Sequence, residues 1–544
     1  MKRNPIAAQI VLLGTGITTV LITPMFSFDS VAAPRFFSLA VFGFIGAFIL
    51  IASKRQLQNS VYRRTLISTF AFVSWAAGSL IFSGINLTEG VFGVTRRHTG
   101  LLTYVALATL MMCALITSDI TLVSKLVSIL LWTGAGASFY GFIQAQGLDP
   151  FDWVNPYSPV IGFFGNPNFH ASFMGITAAA AVAVILGSSV KRKSRFALGI
   201  FVLMAFYNIY KSKSQQGYLV FLAGLIVVGF LYVLSKSHGK KFALPYLVFS
   251  FLSFVAVVLD ILQKSPWKSI LYKESVSYRG DYWRTGWNMT LDHPIFGVGL
   301  DGFRDHQRIS RDLVAAMRPG SDSITDSAHN VFIDISSGGG FPLLIIYLFL
   351  IGLTVQSAIK VFRRRTEFNA TLVAMFAAWV AYLAQSLISI NQLGLAIWGW
   401  VFMGAIIGYE INTREKLESS LPKPVHTNIA LVIGLLFGCS AGIPVIVVDA
   451  TFRSTMESGD VRSIEESLKK WPQSVTRMTY AAQQIRIGNL PARSIVIARA
   501  AVTFNPMNYE AWKELSLQPN ATEQERAEAL ATMKKLDPFN PNLK

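Results

Sequence analysis

Charge is what this sequence has little of. Only 14% of its 544 residues are Asp, Glu, Lys or Arg, whereas 52% are hydrophobic. A soluble domain carries roughly a quarter charged residues, so the chain reads as a polytopic membrane protein with soluble parts attached. Cysteine is scarce as well: Cys113 and Cys439 both lie in apolar stretches. Thiols without polar partners serve as packing, which argues against a disulfide and against a thiolate metal site. The seven histidines show no ligand spacing, and neither CxxC nor HExxH occurs, so no metal and no other cofactor is expected. No two acids stand out at the outer membrane surface as a glycosidase pair. The net charge of +18 would suggest nucleic acid in a soluble chain. Here it follows from Lys and Arg gathered in loops on the cytoplasmic side, and no nucleic-acid partner is expected.

What is abundant is apolar sequence in long runs. A spanning helix needs roughly 20 apolar residues. Candidates centre on 7–27, 34–52, 65–85, 100–117, 121–145, 169–190, 196–210, 217–235, 242–263, 340–358, 370–389, 392–410 and 427–448. The fold class expected is therefore all-α, a membrane helical bundle of about 12–13 spans. The basic start and Val31-Ala32-Ala33 resemble a signal peptide with its cleavage site. Because apolar spans keep coming, a retained first helix is favoured. With the N-terminus inside, the inner loops hold Lys54, Arg55, Arg63 and Arg64; Lys191, Arg192, Lys193 and Arg195; Lys236, Lys240 and Lys241; Lys360, Arg363, Arg364 and Arg365. That fits the positive-inside rule and puts both the 264–328 loop and the C-terminus outside. The division expected is membrane helices over 1–263, an extracytoplasmic loop over 264–339, membrane helices over 340–448 and an extracytoplasmic helical domain over 449–544.

Two short outer loops break the rule. One carries Arg96 and Arg97 in VFGVTRRHTGLL, the other Lys211 and Lys213 in IYKSKSQQG. Two readings stay open: cations kept to bind an anion at the outer surface, or side chains snorkelling to lipid headgroups.

The long polar interval, SVSYRGDYWRTGWNMTLDHPIFGVGLDGF and then SDSITDSAHNVFIDISSGGG, carries the densest chemistry. Arg279, Trp283 and Trp287 stand at i, i+4 and i+8, one face of a helix that should end near His293-Pro294. The tryptophans read as interfacial anchors. Arg279 reads as a guanidinium fork in need of a particular anionic partner. Gly297 and Gly299 allow a tight turn back to the membrane. Asp326 or Ser327 is expected to cap the next helix, placing His329 in its first turn. There the dipole would keep the imidazole neutral and able to accept a proton. The alternative for His329 is a hydrogen-bonded structural residue. In FFGNPNF, Asn166 or Asn168 can cap a helix and Pro167 sets a turn, a structural reading. Beyond Asp449, Ala-rich helical runs broken by Asn-Pro and Asp-Pro look like degenerate tetratricopeptide hairpins, a partner-binding or stacking domain without visible chemistry.

In their order, FGVTRRHTGLLTY, IQAQGLDPF, FFGNPNFHASF, SYRGDYW…HPIFGVGLDGF and AHNVFIDISSGGG resemble the O-antigen ligase and polymerase superfamily, which includes bacterial protein O-oligosaccharyltransferases. The likeness covers roughly residues 90–340. It implies a GT-C-type membrane glycosyltransferase at the outer face of the cytoplasmic membrane, passing a glycan from a polyprenyl diphosphate carrier to a hydroxyl acceptor without a metal. Carried over, His329 matches the family's loop histidine that activates the acceptor. Arg279 matches the arginine opening the long-loop block, and Arg96 or Arg97 the arginine before Gly-Leu-Leu. These, with Arg284, would hold the diphosphate, while Asn166, Asn168, Trp283, Asn330, Gly297 and Gly299 support the site. One departure stands out. Where many members have Ser-Arg-Gly, this chain has Ser214-Gln215-Gln216-Gly217, and Lys211 or Lys213 is expected to replace that charge.

The first functional expectation is a ligase to a lipid, surface glycan or protein. A repeat-unit polymerase is the alternative within the same chemistry. A flippase for polyprenyl-linked glycans is the alternative of another class, disfavoured because the spans hold almost no central ionisable residues.

Overall fold

The computed structural model describes residues 5–53, 59–153, 158–261, 263–264, 274–318, 320–364, 367–414 and 424–543. Residues 1–4 with the basic start, and Lys54, Arg55 and Arg365, lie outside the described residues. Those residues form an all-helical molecule without a strand, and each of the thirteen apolar segments falls on a helix. Among the described residues nine helices are long and apolar enough to cross a membrane; Pro5–Val20, Leu101–Thr117 and Ala370–Ser386 are apolar but shorter. The chain is a multi-pass membrane helical bundle.

Short polar caps cut the apolar sequence into these helices. Asn59, Asn86, Asp119, Asn166, Asn330 and Asn369 each open a helix by accepting hydrogen bonds from its first free N–H groups. The first helix stops at Val20 rather than running to 27. The residue before Pro24 avoids helical backbone, and residues 21–31 instead form a turn closed by Thr23 and Ser30, 2.9 Å apart.

At the centre stands Leu393–Arg414, enclosed on all sides by protein. Near the edge, Gly434, Gly438 and Gly442 line one stripe of Pro424–Ser458. A Cβ at Gly434 or Gly438 would come within 2.5–2.6 Å of backbone in Ala32–Ala52. Small residues at this spacing let two membrane helices pack backbone to backbone. At 35 residues, Pro424–Ser458 is about 52 Å long, well over the roughly 30 Å of a hydrocarbon core. Its end packs on residues 24–29, where Asp449 accepts from the Asp29 N–H and Phe452 meets Phe28, and leads into the C-terminal helices.

Those helices are Val461–Lys469, Val475–Ile487, Pro491–Phe504, Tyr509–Ser516 and Glu523–Leu536. They bury a core of their own that includes Ile464, Met478, Ile485, Ala498 and Leu515. The long loop supplies Glu274–Asp292, Phe303–Ser310 and Leu313–Met317. It lies between the bundle and the C-terminal helices, tied to the latter by buried ion pairs. Asp537 meets Arg308 at 2.8 Å and Arg311 at 2.7 Å, and Asp305 accepts from Asn505 and Asn508 at 2.7 Å each.

Candidate active site at one end of the bundle

The loop reaches the bundle through its glycines. Gly297 and Gly299 are both left-handed, φ +65° and +92°. The N–H groups of Val298 and Gly299 donate to Ser337 and Gly338 at 2.8 and 3.1 Å. Those acceptors exist because the helix Val331–Arg363 breaks at Gly340, φ +72°, which frees backbone groups otherwise bonded within the helix. A Cβ on Gly297 would sit 2.4 Å from the Ser337 carbonyl. The SSGGG run and the FGVG run are two halves of one joint.

Glu274–Asp292 presents the face that the spacing predicts, but its members do different things. Arg279 is half-buried, and its guanidinium donates to Gln216 Oε1 at 3.4 Å. Among the described residues no carboxylate pairs with it. Trp283 has a buried indole nitrogen without a hydrogen-bond partner. Trp287 is 45% exposed and meets Phe341 edge-on at 5.7 Å, as an anchor at the head of a membrane helix would. Arg284 is engaged with Asp281 at 2.8 Å and Asp312 at 3.0 Å. It braces the loop rather than joining Arg279.

His329 is not in a first turn. The cap is Asn330, whose Oδ1 accepts from Phe332 and Ile333, so the helix starts three or four residues later than Asp326 or Ser327 would set it. His329 precedes the cap in a left-handed conformation, φ +52°, and its ring stacks on Tyr282 at 5.5 Å. The imidazole is held neutral, with burial as the first cause. Burial pushes it down to about 4, helped by the Arg279 and Arg97 cations and opposed by Asp326. Asp334 holds the loop from below, accepting from the Ala328 N–H at 2.7 Å.

Arg96 and Arg97 part company. Arg97 is buried, 3.1 Å from Asp301 and 3.3 Å from Asp326, and also bonds the Asp326 carbonyl at 2.8 Å. Burial disfavours the Asp326 charge, but Arg97, with Arg304 after it, holds its carboxyl below the ordinary range. Arg97 thus ties the His329 loop to the bundle. Arg96 is exposed, with its guanidinium over the Phe28 ring at 4.8 Å. Arg96, His98, Asp301 and His329 are all left-handed non-glycine residues, a backbone strain of about 1–3 kcal/mol each. Asp301 locks the arginine loop through the Val94 and Thr99 N–H groups at 2.9 and 3.0 Å.

Lys211 lies over Tyr207 of its own helix at 5.6 Å, and Lys213 is exposed with φ +55°. Gln216, not a lysine, faces Arg279, and its Nε2 is buried without a partner. Asn166 is the cap of Pro167–Ile185; Asn168 accepts from Ser214 Oγ at 2.7 Å, fixing the lysine loop to this turn. The composition gave no reason to single out Arg35, yet it organises the same turn. Fully buried, it donates to the Phe163 carbonyl at 2.7 Å and to that of Thr19 at 2.8 Å. A lone arginine in the first turn of an apolar span, AAPRFF, was the available signal.

Beside Arg97 opens a cleft of about 810 Å³. Arg96, Arg97 and Thr99 form one wall, Phe164–Asn166 and Asn391–Leu393 the floor, and Arg453, Glu457, Tyr480 and Gln484 the facing wall.

Residues 199–348 match the family described as O-Antigen ligase. That stretch of the chain is an O-antigen ligase region, which supports a place in the O-antigen ligase superfamily. No curated protein sequence matches it. The superfamily is one of membrane glycosyltransferases of ligase and polymerase type. Arg279, Trp283, Arg284, Gly297, Gly299, His329, Asn330, Lys211 and Lys213 fall inside the matched region. Arg35, Arg96, Arg97, Asn166 and Asn168 fall before it and reach the O-antigen ligase region only through the fold.

Proposed function

We propose that the chain transfers a glycan from a polyprenyl diphosphate carrier to a hydroxyl acceptor at the outer face of the cytoplasmic membrane. The observation that carries this reading is the pairing of Arg279 with His329. Among the described residues Arg279 is a half-buried cation without a carboxylate, facing the neutral amide of Gln216; His329, within reach of its charge, is held as a neutral imidazole. A guanidinium left unpaired in a partly desolvated place suits a phosphate oxygen, and a neutral imidazole beside it suits a hydroxyl proton.

The reaction needs little else. The acceptor oxygen attacks the anomeric carbon, the bond from that carbon to the diphosphate oxygen breaks, and the diphosphate leaves on its carrier. His329 takes the acceptor's proton. A diphosphate held by Arg279, with Arg96 as a second, mobile cation, also offsets the charge that depresses the imidazole. His329 then becomes a better base when donor is bound. Arg97 and Arg284 serve the loop rather than the donor, and Trp287 anchors the loop helix at the membrane. The end of the bundle with Arg63, Arg64, Lys191 and Lys236 faces the cytoplasm by the positive-inside rule, which supports an extracytoplasmic site. The four-part division of the chain remains part of this proposal, with the C-terminal helices as a partner- or acceptor-facing domain.

The test is His329→Ala in the native host, following both the carrier-linked glycan pool and the glycosylated product. Carrier-linked glycan should accumulate as product disappears. Accumulation confined to the cytoplasmic face would mean a flippase and end this reading. Product length then separates the ligase from the polymerase.

A further inference from the structure

The cleft of about 810 Å³ has a use that the Arg279–His329 pair does not exhaust. Its size lies in the roughly 300–1,000 Å³ range of small-ligand sites. Its charged lining residues are largely satisfied by the protein itself. Arg453 pairs with Glu457 at 2.7 Å. Arg97 is held by Asp301 and Asp326. Asp29 accepts from the N–H groups of Ala32 and Arg96 at 2.8 and 2.9 Å. Arg96 alone of the lining arginines stays exposed, over the Phe28 ring, so most of the cleft suits uncharged groups better than a diphosphate. What it does offer is aromatic surface, from Phe28, Trp153 and Tyr480, beside the amides of Asn166 and Gln484.

That mixture matches one ligand chemistry. A pyranose has an apolar C–H face that lies against an aromatic ring and a rim of hydroxyls that both donate and accept. Amides answer both roles, which a carboxylate or a guanidinium cannot. We propose that this cleft binds a saccharide, and that the C-terminal helices complete it by contributing Tyr480 and Gln484. Tyr480 is set by packing: its ring meets Phe28 of the bundle at 5.2 Å and Phe452 at 6.3 Å. Gln484, one turn further along Val475–Ile487, is exposed on the same side. The C-terminal region is thereby half of a binding site. Arg97 connects the cleft to the reaction, with one side on the cleft and the other on Asp326, three residues before His329.

This inference rests on the transfer reading only for the source of the saccharide, which is either the donor glycan or a sugar-bearing acceptor. The experiment uses the full chain in detergent with a photo-crosslinking phenylalanine analogue at position 484. Three probes are presented: carrier-linked glycan extracted from the host, the host's acceptor pool stripped of that glycan, and polyprenyl diphosphate without sugar. Crosslinking to the first assigns the cleft to the donor glycan, and to the second assigns it to the acceptor. Crosslinking to the sugar-free carrier alone, or to none, overturns the proposal. In parallel, Gln484→Ala, at an exposed position, should weaken binding of the assigned probe roughly fivefold through one lost hydrogen bond. Tyr480→Phe, which keeps the ring, should preserve the contact with Phe28. Unchanged binding in Gln484→Ala counts against the proposal. Crosslinking is read in the His329→Ala background as well. If that variant still turns over while the crosslink persists, the base assignment fails and the cleft stands.

Discussion

At the scale of single residues, the site separates cations by what surrounds them. Arg97 and Arg284 have carboxylates at 2.8–3.3 Å, and Arg279 has an amide. Removing Arg279 should therefore act on the donor and on the base together. In Arg279→Gln, the first named cation lowering the His329 imidazole is gone. The acid limb of the transfer-rate profile should move to higher pH, because a proton on His329 is then less disfavoured. A limb that stays in place would separate the two residues. The base itself accounts for roughly 10²–10⁴-fold in rate, which is the fall expected in His329→Ala, measured as glycan transfer by purified protein. Spacing put Arg279 on one face of a helix and the likeness of motifs singled out His329, but neither carries how each is tuned. The imidazole is depressed by burial and by arginines 50 and more than 200 positions away, which no local pattern encodes.

At the scale of elements, the joint between the FGVG turn and the broken helix decides where the histidine loop sits. Gly297→Ala places a Cβ 2.4 Å from the Ser337 carbonyl at φ +65°. The variant should lose on the order of 1–3 kcal/mol or more, read as a lower melting temperature in detergent together with lost transfer. Gly280→Ala, with open space around the new methyl in a helix, should be neutral or stabilising by about 0.5–1 kcal/mol. It controls for a general intolerance of the loop. The helix ends follow short-range rules that sequence carries: Asn caps, and the avoidance of helix before Pro24. The cap at Asn330 rather than Asp326 or Ser327 shows where those rules run out. Three residues within five positions, Asp326, Ser327 and Asn330, could cap, and burial of Ser327 and Ala328 with Arg97 on the Asp326 carbonyl chose among them.

At the scale of the whole molecule, the C-terminal helices are bound by groups that cannot be exchanged one at a time. Asp537 is fully buried between Arg308 and Arg311. Asp537→Ala strands Arg311 and leaves Arg308 with Glu510 alone, and should cost about 3–5 kcal/mol, read as release of the C-terminal helices by limited proteolysis. Docking should also respond to pH. Glu89 bonds the Val475 N–H and Asn505 across this interface, and burial, with Asp305 next, pushes its carboxyl up from 4.5 to about 7. The docked state holds the proton more tightly than the released one. Docking is therefore strongest below about pH 4.5 and weakens as pH rises through about 7, within whatever range the rest of the protein tolerates. Protease resistance should follow that trend from acid to neutral pH, and Glu89→Gln should flatten it.

By itself the sequence determined the all-helical membrane architecture, the thirteen apolar segments and the order of motifs. Each rests on local physics: hydrophobic length, helical spacing, caps and proline. Only the tertiary structure decided that Arg97 is a clamp while Arg279, among the described residues, faces the Gln216 amide and no acid, and that Arg35 holds the FFGNPN turn. It also decided that the C-terminal helices form a wall of the cleft. These outcomes depend on which groups from distant segments are buried together, and burial sets both the cost of a charge and the partner that relieves it.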